Sequence, residues 1–230
     1  IIARLTNELK HAQVAAERVF NLNDIVPEIQ DSPEVIEKYG DYVNFKKENW
    51  EDLHGDIEFE HVTFAYKKGK EVLKDFNLKV KQGQSIALVG ETGAGKSTIV
   101  NLISRFYEPT SGIIKIDGKD YKQRSVAWLH SYLGYVLQTP HLFSGTIKEN
   151  IRYGNLNASD EQVYEAARIA HAEEFILKLE NGYDSQVGEG GNRLSLGQKQ
   201  LISFARAIIA NPKILILDEA TSSIDTQTEY

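Results

Sequence analysis

Nine consecutive residues, Gly90, Glu91, Thr92, Gly93, Ala94, Gly95, Lys96, Ser97 and Thr98, have the types and spacing to hold a polyphosphate. They read GxxxxGK[ST] and follow the apolar run SIALV at 85–89. A glycine-rich turn from a strand into a helix lets successive backbone N–H groups converge on one concavity, and the positive helix end adds to it. Lys96 is then placed to reach the β- and γ-phosphates, and Ser97 to ligate Mg2+. A second chemistry-bearing stretch is KILILDE at 213–219, an apolar strand ending in two carboxylates. After four apolar residues, and in company with such a loop, Asp218 is the expected Mg2+ partner, through the ion's water shell. Glu219 is placed to orient or deprotonate an attacking water; its bland alternative is a surface carboxylate at a strand end.

Three further positions stay open on their own chemistry. Gln138 ends the strand-like run 133–137, where its amide contacts Mg2+ and water or is simply structural. Tyr66, upstream of the loop, is either an adenine platform or sheet packing. Ser195, Gly197 and Gln198 open a helix and form a second anion site. One loop holds one triphosphate, so that helix end is either an ordinary cap or half of a site shared with another chain.

The elements that must position these residues alternate between strand and helix patterns, which predicts an α/β fold. Ile57 and Phe59 alternate, the parity shifts, and Val62, Phe64 and Tyr66 alternate again, predicting a strand with a bulge. A second strand carries Phe76, Leu78 and Val80. Strand 85–89 then feeds the phosphate loop, a helix spans 96–107, and further short strands lie at 112–118 and 133–137. Residues 139–154 read as irregular. A helix runs over 160–180, with Ser159 and Gln162 as a capping box, and another over 198–210. Strand 213–219, apolar throughout, suits a parallel sheet buried on both faces. In parallel sheets, ligands sit at the carboxyl ends of the strands, which gathers Gly90, Gln138, Asp218 and Glu219 at one edge.

Composition bounds the rest. Of 230 residues, 41% are apolar and 26% charged, as in ordinary globular domains. A net charge of −7 argues against a nucleic-acid partner. There is no cysteine, hence no disulfide framework, and the six histidines show no ligand spacing. No apolar run approaches the ~20 residues that span a bilayer. Residues 1–22 read as an amphipathic helix, and 23–54 as a solvated acidic linker, since 28–60 carry eleven acidic against three basic side chains. With neither an initiator Met nor a signal-peptide pattern, the chain reads as an internal fragment.

GETGAGKS, Gln138, LSLGQ at 194–198, ILILDE and SSID at 222–225 come in the order and spacing of the ABC transporter nucleotide-binding domain, which residues 55–230 resemble. The resemblance implies a P-loop NTPase core with a mixed or parallel sheet, an N-terminal antiparallel β subdomain and an inserted α-helical subdomain over about 140–195. It makes Tyr66 the adenine-stacking aromatic, Gln138 the Q-loop, 194–198 the signature motif, Asp218 and Glu219 the Walker B pair, and Asp225 the D-loop. VGEGG at 187–191, QTPHLFSGTIKENIRYG and TSGIIKIDG resemble exporter-type members. Residues 1–22 then resemble the cytosolic end of the last transmembrane helix of a half-transporter. The function implied by the resemblance is that of an ATP hydrolase using ATP and Mg2+ at the cytoplasmic face of a membrane, partnered by a second ABC ATPase domain and by its own transmembrane domain, exporting a substrate. The alternative is a soluble ABC ATPase acting on nucleic acid or ribosomes. Two departures stand out. Leu196 replaces the first of the family's two signature glycines. The switch histidine should come a few tens of residues after the D-loop, so residues 1–230 alone are expected to bind ATP and hydrolyse it poorly or not at all.

Overall fold

The computed structural model describes residues 2–67, 69–91 and 93–218. Thr92, Glu219 and the expected D-loop residue Asp225 lie outside the described residues. Residues 1–30 form one compact unit and residues 31–230 another. The first unit is mostly α1 (Ile2–Asn23), the helix its apolar spacing predicts. Among the described residues no helix is long and apolar enough to cross a membrane.

In the second unit, β1 (Ile57–Phe64), β2 (Leu73–Val80), β3 (Ser111–Ile116) and β4 (Lys119–Asp120) form an antiparallel sheet in the order β2-β1-β3-β4. The predicted parity shift is a real bulge: register breaks between Phe59 and Val62, so Ile57, Phe59, Val62 and Phe64 all face the core. His61 carries the bulge at φ 51. Opposite it, Gly112 has φ +85, and a Cβ there would lie 2.3 Å from the His61 carbonyl oxygen, so only glycine fits. Strands β5 (Leu133–Val136) and β6 (Ile214–Leu217) form a separate parallel pair in register from Leu133↔Ile214 to Val136↔Leu217.

Two hydrophobic clusters organise the unit. One joins the sheets to α3 (Lys96–Ile103) and α4 (Val126–Ser131) through Phe59, Val62, Ile99, Leu102, Ile114, Trp128 and Ile216. The other is helical, built from α5 (Ile147–Arg152), α6 (Asp160–Ile169), α7 (Glu173–Leu177) and α8 (Leu196–Ile209) around Ile147, Ile151, Val163, Ile176 and Ile202. The expected inserted helical subdomain is therefore present, and α8 completes it.

Five expectations change. Residues 85–89, expected as a strand, carry no strand assignment; among the described residues none pairs with them, and Val89 is 92% exposed. An apolar run becomes a strand only where a neighbour supplies ladder bonds. For a related reason β6 is not buried on both faces: Leu215 and Leu217 are each 47% exposed, while Ile216 enters the core. Both long helices stop early, by one device. Helix α3 ends at Ile103, where Arg105 adopts φ 53, its N–H donates to Leu102 and the Phe106 N–H donates to Asn101. His171, at φ 55, does the same after α6, with bonds to Arg168 and from Ala172 to Ala167. This is the Schellman closure, made here without its usual glycine. The stretch 139–154 is not wholly irregular: it contains α5, opened by the Thr146–Glu149 capping box.

The acidic stretch is the fifth change, because its second half is folded. Ser32 caps α2 (Pro33–Tyr39), and Val35, Tyr39 and Leu53 are buried. Asp31 accepts from Arg105 at 3.0 Å and from the Val126 N–H at 3.2 Å. Glu51 accepts from Arg124, Lys119 and Lys38. Charge alone suggests solvation, but the arginines that neutralise these carboxylates come from far along the chain, and Arg105 and Arg124 are only 3% and 4% exposed.

Candidate functional site

The expected phosphate loop is shaped by two of its glycines. Gly93 and Gly95 sit at φ 88 and 91, a conformation side chains resist, and Gly95 is the cap of α3 with no side-chain bond to the first turn. The leading N–H groups of α3 thus receive no bond from a capping side chain, the arrangement that suits an anion. Lys96 Nζ donates to the Gly90 and Glu91 carbonyl oxygens at 2.6 and 3.0 Å, curling its ammonium over the loop. The Ala94 N–H closes the turn onto the Glu91 carbonyl at 3.1 Å. Ser97 is exposed and Thr98 buried.

Tyr66 lies two residues beyond β1 and meets this helix directly. Its hydroxyl is 3.1 Å from Thr98 Oγ1 and accepts from Asn101 Nδ2 at 3.4 Å. The structure therefore brings Tyr66 to the phosphate loop.

Gln138 and Asp218 come together for a different reason. Strands β5 and β6 are parallel and in register, so the residues that follow them leave the same edge. The Asp218 N–H extends the ladder to the Val136 carbonyl at 3.0 Å. Burial pushes the Tyr135 phenol up, with the Asp218 carboxylate adding to the effect. The side chain of Gln138 is exposed, and its carbonyl accepts from Gln200 Nε2 of α8 at 3.4 Å. Gln200 is fully buried, and among the described residues its Oε1 has no partner.

Ser195 and Gln198 form a reciprocal capping box at the start of α8: Ser195 Oγ accepts from the Gln198 N–H at 3.2 Å, and Gln198 Oε1 from the Ser195 N–H at 3.0 Å. Ser195 and Leu196 are exposed, Gly197 and Gln198 half-buried. This helix start belongs to the helical cluster and α3 to the other, so the two helix ends are built on different cores. Before it, Gly188, Gly190 and Gly191 take φ of 78, 59 and 72, as the glycine-acidic loop at 187–191 requires.

Sequence reasoning missed three residues here: Asn101 and Gln200, which contact site residues, and Thr98 in its role as the partner of Tyr66. Asn101 shares a helix face with Thr98 by its i, i+3 spacing, but nothing in the spacing pairs either with a tyrosine thirty residues upstream.

Comparison with known proteins extends the geometry. Residues 73–222 match the family model described as ABC transporter. The chain is similar to an uncharacterised ABC transporter ATP-binding protein of Bacillus subtilis, 46% identical over 228 residues, 99% of this chain and 36% of that protein. It is equally 46% identical to a fatty acid ABC transporter ATP-binding/permease protein of Mycobacterium tuberculosis, over 99% of this chain and 34% of that one. It is 50% identical to the human mitochondrial potassium channel ATP-binding subunit over 78% of this chain and 25% of the relative. Among solved structures, a bacterial Atm1-family ABC exporter with ATP bound superposes with a TM-score of 0.84 at 38% identity, covering 96% of this chain and 36% of that one. The chain spans about a third of the length of the first of these relatives. The glycine-built loop, the parallel strand pair carrying Gln138 and Asp218, and a match of this extent have one common explanation: this chain belongs to the ABC transporter family, as the ATP-binding domain of its exporter type.

Proposed function

We propose that this chain is the ATPase engine of a membrane exporter, in which two such domains close head-to-tail around ATP. The observation that carries the reading is the separation of the two helix ends: the loop before α3 and the Ser195 end of α8 rest on different hydrophobic clusters. A single γ-phosphate is then met by the loop of one subunit and by Ser195, Gly197 and Gln198 of the other. Backbone N–H groups of 90–98 cradle the phosphates, and Lys96 exchanges its two carbonyl bonds for phosphate oxygens. Tyr66 stacks on adenine.

Ser97, Gln138 and Asp218 would hold Mg2+. Their oxygens are the hard donors that ion takes, and the exposed Ser97 and Gln138 leave room for phosphate oxygens and water to complete its shell. When bound, the ion neutralises charge on the β- and γ-oxygens. Glu219 orients or deprotonates the attacking water. Closure passes to a transmembrane domain of the same polypeptide, at the cytoplasmic face of the membrane, through the segment around Gln138 and the loop at 187–191.

The test is Glu219→Gln in the full-length protein. ATP should bind with unchanged affinity, hydrolysis should be lost, and a closed dimer should accumulate. Unimpaired turnover would sink the assignment.

A further inference from the structure

Tyr66 is held more firmly than a ring that only packs on a sheet. It lies perpendicular to Phe64, at 4.8 Å and 85°, and to Tyr107, at 4.9 Å and 88°. Phe64 and Tyr107 also meet each other, at 5.7 Å, so the three rings form a closed triangle. Phe64 is buried in the core, and the Tyr107 carbonyl accepts from the Tyr121 hydroxyl at 3.4 Å, which anchors the triangle on two sides. Even so, Tyr66 is 45% exposed. Its hydroxyl is not left to water: Thr98 Oγ1 lies 3.1 Å away and Asn101 Nδ2 donates to it at 3.4 Å. Thr98 is 4% exposed, and a bond to a hydroxyl withdrawn from water is worth more than one at the surface. Thr98 and Asn101 are one turn apart on α3, whose first residue is Lys96.

We infer that Thr98 and Asn101 are positioning residues that fix the Tyr66 ring relative to the phosphate loop, so that the helix gripping the phosphates also sets where the base can stack. The inference rests on reading Tyr66 as the base platform. A ring fixed in advance by its hydroxyl and by two neighbouring rings needs little ordering when a nucleotide arrives. A ring freed at its hydroxyl keeps its stacking surface but must be ordered by the ligand. The effect therefore falls on the base and spares the phosphates, which distinguishes positioning from a general loss of structure.

The experiment compares ATP with inorganic tripolyphosphate, which has the phosphates and no base, by measuring both dissociation constants in the full-length protein with Mg2+. Tyr66→Phe keeps the ring and removes the hydroxyl; it should lower the preference for ATP over tripolyphosphate about two- to tenfold. Thr98→Val should lower that preference by a similar factor, whatever it does to phosphate binding itself. The double variant should go little further than either single one, and Thr98→Ser should restore the preference. Preferences that stay at the wild-type value in Tyr66→Phe and Thr98→Val overturn the inference, even if both variants melt earlier, because the contact is then merely structural. Effects that multiply independently in the double variant overturn it too. If the wild-type protein binds neither ligand, the nucleotide reading fails and the inference with it. If it binds both and the preference never moves, only the inference falls.

Discussion

Replacing Glu51 with glutamine tests the contact that fastens the folded acidic segment to the domain. Hydrogen bonding from Lys119, opposed by partial burial and helped by Lys38 and Arg124, lowers the Glu51 carboxyl from 4.5 to about 2. Through proton linkage, a carboxylate held that low would contribute about 3.4 kcal/mol at neutral pH. Its side chain is 32% exposed, so solvent screening reduces the expected contribution to about 1–2 kcal/mol. The sign follows from a folded value below the unfolded one: the stabilisation is complete above about pH 4.5 and disappears as pH falls toward 2. Glu51→Gln keeps the shape and removes the charge. Wild type should exceed the variant by about 1–2 kcal/mol at pH 7, with most of the gap gone at pH 3, where the wild-type carboxylate is itself losing its advantage. Urea unfolding at each pH reads this directly. The chain's two tryptophans bracket the contact, since Trp50 precedes Glu51 and Trp128 Nε1 donates to the Glu51 carbonyl at 2.7 Å. A gap of the same size at pH 7 and pH 3 would refute the ionic account and leave packing by residues 31–54 as the source.

Two perturbations address the helical cluster. A Cβ at Gly154 would lie 2.0 Å from the Arg206 carbonyl oxygen and 2.8 Å from Ile209 Cγ2. Gly154→Ala should therefore force α5 and α8 apart at a cost of about 3 kcal/mol, seen as a Tm about 6–12 °C lower; an unchanged Tm would contradict this close approach. Arg206 donates to the Asn150 carbonyl, to Asn150 Oδ1 and to the His141 carbonyl, and lies over the rings of Phe143 and Tyr153. Arg206→Met should leave these acceptors short of donors and loosen 141–153 by about 3 kcal/mol, accelerating amide exchange there about a hundredfold. Exchange at the wild-type rate would show that the segment is held by its apolar contacts alone.

Legibility in the sequence tracks the range of the interactions. Period-two alternation located β1 and β2 and even their bulge, because each presents one face to a core only a residue or two away in register. The turn into α3 was legible because Gly93 and Gly95 take backbone angles that side chains resist. The ends of α3 and α6 were not, since Arg105 and His171 take a conformation usually signalled by glycine or asparagine. The folding of 31–54 was hidden because Asp31 and Glu51 find their arginines more than seventy residues away. The run at 85–89 showed its apolarity but not its pairing, which is a property of neighbours. Within the candidate site, the bonds from Tyr66 to Thr98 and from Gln200 to Gln138 needed three dimensions.

Helix α8 belongs to the helical cluster and also packs on β5, and its ends are loaded unequally. Near its C-terminal end, Ala207 and Phe204 pack on Val136 of β5, while Ser195 stands exposed at the other end. Twelve residues separate Ala207 from Ser195, a lever arm of about 18 Å at helical rise. A tilt of about 10° around that packed end would carry Ser195 through about 3 Å, the difference between a hydrogen bond made and one broken. Gln200, less than halfway along the arm from Ser195 and bonded to the Gln138 carbonyl, would move with it. In mechanical terms such a tilt would make α8 a rocker, turning a small torque near Val136 into a longer stroke at Ser195, with Gln138 geared to the same shaft.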